Sequence, residues 1–159
     1  MYFIGCFFGY LIETFMKLFV WKSMHNGVLL GPWIPVYGFG ILISIFISEV
    51  VFKLKIKKCL KIWLLFIFIF FITTLFEWLG GILIEAVFHK TFWNYEKFMF
   101  NIGPYISVEM SLIWSCLLLI FTFYLRPLLD LGVKKIPRSV TLILLGIQLI
   151  DFIITWIIL

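Results

Sequence analysis

Charge is scarce in this 159-residue chain: only 13% of its residues are Asp, Glu, Lys or Arg, against roughly 25% in a soluble domain. Too few charges remain to cover a water-facing surface, which excludes an ordinary soluble globular protein. Histidine occurs twice, at His25 and His89, and neither has a Ser or Cys beside it at motif spacing. Nucleophilic and metal chemistry therefore lack their usual groups, and no enzymatic activity, metal or cofactor is expected. Three cysteines, Cys6, Cys59 and Cys116, are an odd number without paired spacing, so neither a disulfide framework nor a zinc site is implied. The phosphate-binding loop G-x-x-x-x-G-K-[ST] is missing too, so ATP hydrolysis by that route would require a separate ATPase subunit. No cationic stretch or A-x-A site marks the N-terminus as a cleaved signal, and its apolar run is expected to persist as a first helix.

What is present is apolar. Hydrophobic residues make up 64% of the chain, including 20 Phe and 7 Trp, and mean hydropathy is +1.18. A membrane-spanning helix needs about 20 mostly apolar residues, and five stretches qualify: residues 2–20, 34–52, 62–88, 105–125 and 139–159. The expected fold is all-α, a polytopic membrane helix bundle forming a single integral membrane domain over residues 1–159. The lipid bilayer is its first partner.

Nine of the 13 Lys and Arg lie in two connections, Lys53 to Lys61 and residues 126–138. By the positive-inside rule both face the cytoplasm, which puts the N-terminus inside and the C-terminus outside. Basic runs beside membrane helices are orientation signals and lipid-headgroup contacts far more often than nucleic-acid sites, so no nucleic-acid partner is expected. The third helix, at 27 residues about 40 Å long, exceeds the roughly 30 Å of hydrocarbon. It must tilt, bend near Gly80-Gly81 or protrude. The aromatic stretch from His89 to Pro104 suits the outer headgroup layer, as a short interfacial helix or lid.

Six of the eight acids fall inside or at the ends of these helices: Glu13, Glu49, Glu77, Glu85, Glu109 and Asp151. Such placement is expensive, since an Asp at a helix centre costs about 2.5–3.5 kcal/mol on insertion scales. Glu49 has a simple explanation in Lys53, four residues on. The other five lie at mid-depth or nearer the outer face and are expected to line one outward-facing path for a small molecule or ion. Four-residue steps support shared faces: Gly5, Gly9 and Glu13; Thr73, Glu77, Gly81 and Glu85; Asn101, Tyr105 and Glu109 if the fourth helix starts early. Thr141, Gln148, Asp151 and Thr155 form a similar stripe. Small-residue stripes such as Gly40/Ser44/Ser48 and Ser107/Ser111/Ser115 read as helix-packing surfaces. A buried Glu can also be neutral glue between helices, so a non-transporting scaffold or accessory subunit is the alternative. Glu77 and Glu85 are too far apart for a catalytic dyad, about 80° around the helix and 12 Å along it.

Between the first two helices runs a segment too apolar for a surface loop and too rich in Gly and Pro for a helix, from His25 to Gly40. Irregular backbone at membrane depth survives only where protein or water satisfies it. The run therefore reads as a bent or re-entrant gate at the start of the second helix, packed against its neighbours.

In order along the chain, these landmarks resemble the bacterial membrane family catalogued as putative ABC-transporter type IV permeases, or CmpB-like proteins. That family's G-W-x-x-E is matched by Gly9-Tyr10-Leu11-Ile12-Glu13, and its N-R-G-x-L-x-G-P-x-x-P-I-Y-G-x-G by Gly27, Leu29, Gly31, Pro32, Pro35, Tyr37, Gly38 and Gly40. A third-helix T-T-x-x-E-Y with a later Glu resembles Thr73-Thr74-Leu75-Phe76-Glu77-Trp78 and Glu85. Its W-D-Y and F-N resemble Trp93-Asn94-Tyr95 and Phe100-Asn101. Here His25-Asn26 replaces the family's Asn-Arg, Asn94 replaces its Asp, and Gly103-Pro104-Tyr105 stands where many members have Gly-Arg. The resemblance implies membrane transport; the partner expected beside the bilayer is a separate ATPase subunit or a second copy of the chain in a homo-oligomer.

Overall fold

The computed structural model describes residues 1–19 and 27–158; residues 20–26, with the expected end of the first helix and His25-Asn26 of the Gly/Pro run, and Leu159 lie outside them. The architecture is all-α, as the hydropathy requires. Helix α1 covers Tyr2–Phe19, α2 Pro35–Lys53 and α3 Lys58–Phe88; a two-residue hairpin, β1 Asn101–Ile102 and β2 Ile106–Ser107, precedes α4 at Val108–Ile120. A π-helical turn at Phe121–Leu125 joins α4 to α5, Arg126–Val133, and α6 covers Arg138–Ile158. Among the described residues four stretches are long and apolar enough to cross a membrane: Pro35–Lys53, Lys58–Phe88, Val108–Val133 and Arg138–Ile158. Beside them α1 contributes 18 residues, about 27 Å of helix, and packs along α2.

The contact between α1 and α2 is set by small residues. A side-chain carbon added at Gly5 would lie 3.0 Å from the Gly38 Cα and from the Tyr37 carbonyl oxygen, and one at Gly38 would lie 2.5 Å from Cys6 Sγ. Only glycines allow two backbones so close. The start of α2 is tied to the same place: Ile34, in extended conformation, donates its N–H to the Cys6 carbonyl at 3.0 Å. Pro35 then takes the first helical position, where its missing N–H costs nothing. Farther along, Ile47 and Val51 of α2 meet Leu65 and Ile69 of α3 in the apolar core. On the outer faces large apolar side chains stay exposed, Phe46 at 69% and Phe71 at 66%, as lipid contact demands.

Several expectations are corrected. The third helix begins at Lys58, so Lys58 and Lys61 are helical residues rather than part of a loop, and it reaches 31 residues. Residues 89–104 form turns and the first hairpin strand, with no helix. The fourth helix starts at Val108, capped by the Ser107 side chain, because the strand pairing Asn101 with Ser107 uses the preceding backbone. Asn101, Tyr105 and Glu109 therefore share no helical face. The chain from Arg126 to Val133 is helical: Pro127 has no N–H and would crowd the carbonyl four residues back, and the wider π turn, with Arg126 donating to the Phe121 carbonyl, accommodates it. Finally, the Glu49 side chain pairs with Arg126 at 2.6 Å, and the same guanidinium donates to Ser48 Oγ at 2.8 Å. Lys53 is not its partner, because Arg126 reaches across from the neighbouring helical segment.

Candidate functional site

The acids fall into separate groups rather than around one centre. Glu13 on α1 accepts the Tyr37 hydroxyl at 3.0 Å and the Gly27 N–H at 3.2 Å. Glu77 on α3 accepts the Tyr95 hydroxyl at 2.7 Å. The two pairs are neighbours: the Trp114 ring meets the Tyr37 ring edge-on at 5.2 Å, its side chain also reaches Glu77 and Tyr95, and Tyr95 interacts electrostatically with both glutamates. Helices α1 to α4 and the chain before the hairpin thus bring Glu13, Tyr37, Glu77, Tyr95 and Trp114 into one polar group. It lies where α1 and α3 end and α2 and α4 begin.

Tyr95 holds its place through its own backbone, donating its N–H to the Pro104 carbonyl at 2.8 Å. Around it Trp93 donates its indole N–H to the Tyr105 carbonyl at 3.3 Å. Asn101 Nδ2 donates to the carbonyls of Glu96 and Phe98, each at 2.9 Å, and Asn94 closes a turn by accepting the Glu96 N–H at 2.7 Å. Trp93, Asn94 and Asn101 are therefore the framework that presents Tyr95. Burial, followed by the nearby Glu77 charge, pushes the Tyr95 hydroxyl far above its ordinary pKa, so it remains a proton donor to Glu77.

The remaining acids stand apart. Asp151 on α6 is buried and accepts the Leu30 N–H at 3.2 Å, the Gly31 N–H at 2.9 Å, the Trp33 indole N–H at 2.6 Å and the Thr155 hydroxyl at 3.3 Å. Glu109 accepts the Ser107 hydroxyl at 2.6 Å and the Phe100 N–H at 3.1 Å, fastening the hairpin to α4. Glu85 is exposed. The Gly/Pro run is thus held by two carboxylates: Glu13 takes Gly27, whose φ of +71° favours glycine, and Asp151 takes the turn at Gly31. Pro32 is exposed between them, while Gly40 faces Leu118 of α4 with room for a side chain.

Sequence reasoning missed Trp114, Trp33 and Arg126 as participants. Trp33 stood inside the Gly/Pro run, but nothing in its spacing showed that its indole would face α6. Trp114 is one more aromatic on an apolar helix, and its role follows from tertiary packing alone. Among the described residues no group of three His, Cys, Asp or Glu is placed to hold a metal ion.

One comparison identifies a family. The profile of the family described as "Putative ABC-transporter type IV" matches residues 1–158. Neither a curated protein nor a solved structure matches.

Proposed function

The chain belongs to the family described as putative ABC-transporter type IV, a multi-pass membrane protein, and on that basis we propose that it is a non-enzymatic, permease-like subunit. In this reading a small molecule or ion passes the Glu13–Glu77 group, and a separate ATPase subunit supplies any ATP-driven step. The carrying observation is that two carboxylates from α1 and α3, each resting on a tyrosine hydroxyl, come together beside Trp114. Intramembrane carboxylates that face one another mark ion, proton or substrate paths more often than chance. The carboxylates themselves, held by neutral donors, favour a cationic or protonated passenger over an anion. The Gly/Pro run from Gly27 to Gly40 acts as the gate, since its first residue is held by Glu13 itself. The end carrying this group faces outward, because the basic residues Lys53 to Lys61 and Arg126 to Arg138 lie at the other end.

For Asp151 and Glu109 the scaffold reading is favoured. Each is occupied by several donors of the chain itself, which is what a helix tie requires.

The test compares Glu77→Gln with Glu77→Leu in protein purified in mild detergent, with mass spectrometry of whatever co-purifies. A path residue predicts that Gln keeps the thermal midpoint near wild type while a bound small molecule, or a cation-dependent rise in midpoint, is lost. If the Gln variant keeps every co-purifying species and cation response of the wild type, the path reading fails.

A further inference from the structure

Helix α6 is held to the rest of the protein at few places. Of its 21 residues only Gln148, Asp151 and Thr155 are buried. Phe152 meets the Phe88 ring at 6.0 Å, and Gln148 lies against Tyr2 and Cys6 with its buried Nε2 unpartnered. The strongest attachment is the Asp151 carboxylate in the turn that precedes α2. There two successive backbone N–H groups, of Leu30 and Gly31, converge with the Trp33 indole N–H on the two carboxylate oxygens. Pro32, with no N–H to offer, leaves the third position to the indole.

All of these donors are neutral, and three of the four come from one five-residue turn. They recognise a carboxylate by shape and dipole, as backbone nests recognise anions elsewhere, without regard to which chain carries it. We propose that the turn at residues 29–33 is a binding site for a small carboxylate, occupied at rest by the chain's own Asp151. A carboxylate ligand that takes Asp151's place releases α6 from the Gly/Pro segment. The cradle is distinct from the Glu13–Glu77 group, yet the same segment runs from one to the other. Losing Asp151 frees the middle of a strap whose first described residue, Gly27, covers Glu13.

The test uses the full chain in detergent with Cys59→Ser and Cys116→Ser, leaving Cys6, which is fully buried against Gln148, as a reporter of α6. Asp151→Ala keeps Cβ and vacates the volume of a formate ion, so sodium formate is compared with sodium chloride at equal ionic strength. The variant should have a lower thermal midpoint in chloride, which formate raises with its concentration. Adding Trp33→Phe should abolish that response. Cys6 should react with a maleimide at least about tenfold faster in Asp151→Ala than with Asp151 present, the ratio expected for loss of one charge-assisted hydrogen bond. With Asp151 present, formate but not chloride should accelerate the Cys6 reaction. If Asp151→Ala gives no folded protein in chloride, its folded yield during preparation in formate becomes the measurement, and recovery is expected. Equal behaviour in formate and chloride, or a formate response that survives Trp33→Phe, overturns the carboxylate site. Cys6 reactivity indifferent to formate with Asp151 present overturns its exchange with Asp151.

Discussion

Glu13 and Glu77 each rest on one tyrosine hydroxyl, and the two hydroxyls are not equivalent. Tyr37 shares Glu13 with the Gly27 N–H, whereas Tyr95 supplies the Glu77 hydrogen bond from outside the helices. Tyr95→Phe should therefore be the more damaging substitution. Hydrogen bonds between side chains in membranes average only about 0.6 kcal/mol and reach about 1.7, and without the hydroxyl the half-buried Glu77 carboxylate keeps only its contact with Trp114, which moves the cost toward the upper end. A loss of about 1–2 kcal/mol is expected for Tyr95→Phe and less for Tyr37→Phe, read as thermal midpoints in one detergent. Equal midpoints in the two variants would show that Tyr95 is incidental to Glu77. The acids themselves were legible in the sequence, because ionisable side chains inside an apolar run are costly enough to stand out. Their partners were not. Backbone N–H groups such as those of Leu30 and Gly31 leave no trace in residue identity, and Arg126 looked like one more basic residue of a loop until the π turn aimed it at Glu49.

At the level of helices, the Gly/Ser stripes read from the sequence proved informative about packing. Gly5, Gly9, Ser44 and Ser48 are buried, as is Gly38 beside them, while Gly40 of the same stripe is half-buried with room for a side chain; lipid offers no hydrophobic drive for association, and close backbone approach replaces it. Gly38 is the most constrained of these on α2, with Cys6 Sγ at 2.5 Å and the Tyr2 ring at 2.7 Å from any added carbon. Gly38→Ala should separate α1 from α2 and lower the thermal midpoint, at a cost of about 1–3 kcal/mol for overpacking. Gly146→Ala, where an added carbon meets nothing within 4 Å, should leave the midpoint unchanged or raise it slightly, since Ala is the better helix former. A pair of equal midpoints would contradict the close approach. Helix ends were less legible than helix centres. The four-residue step from Asn101 to Glu109 imitates a helix, yet Gly103 with φ of +65° turns the chain into a hairpin. Hydrophobic periodicity carries no information about such a turn, and Gly-Pro-Tyr was the only local hint.

On the scale of the whole molecule, the chain has two chemically unlike ends. One gathers Glu13, Glu77, Asp151, Tyr37, Tyr95, Trp33 and Trp114 near the Gly/Pro strap and the hairpin. The other holds seven of the eleven lysines, with Arg126 anchoring α2 through Ser48 and Glu49. Composition alone reveals the membrane and the polarity of its ends, because apolar content and Lys placement respond to the bilayer directly. That Glu13 and Glu77 meet while Asp151 sits in a separate cradle depends on which helix lies beside which, and no helix records its neighbours in its own sequence.

The central claim is that the Glu13–Glu77 group is reached by water from the outward end. The most direct measurement is the reaction of a membrane-impermeant thiol reagent with Glu13→Cys and Glu77→Cys in closed vesicles of each orientation, with Cys6, Cys59 and Cys116 replaced by Ser. Lys97→Cys marks the hairpin side and Ile69→Cys the buried core. The account predicts labelling of positions 13 and 77 from the same side as position 97, and none at position 69. Positions 13 and 77 as unreactive as position 69 from either side would contradict it and leave the two glutamates as ties between helices.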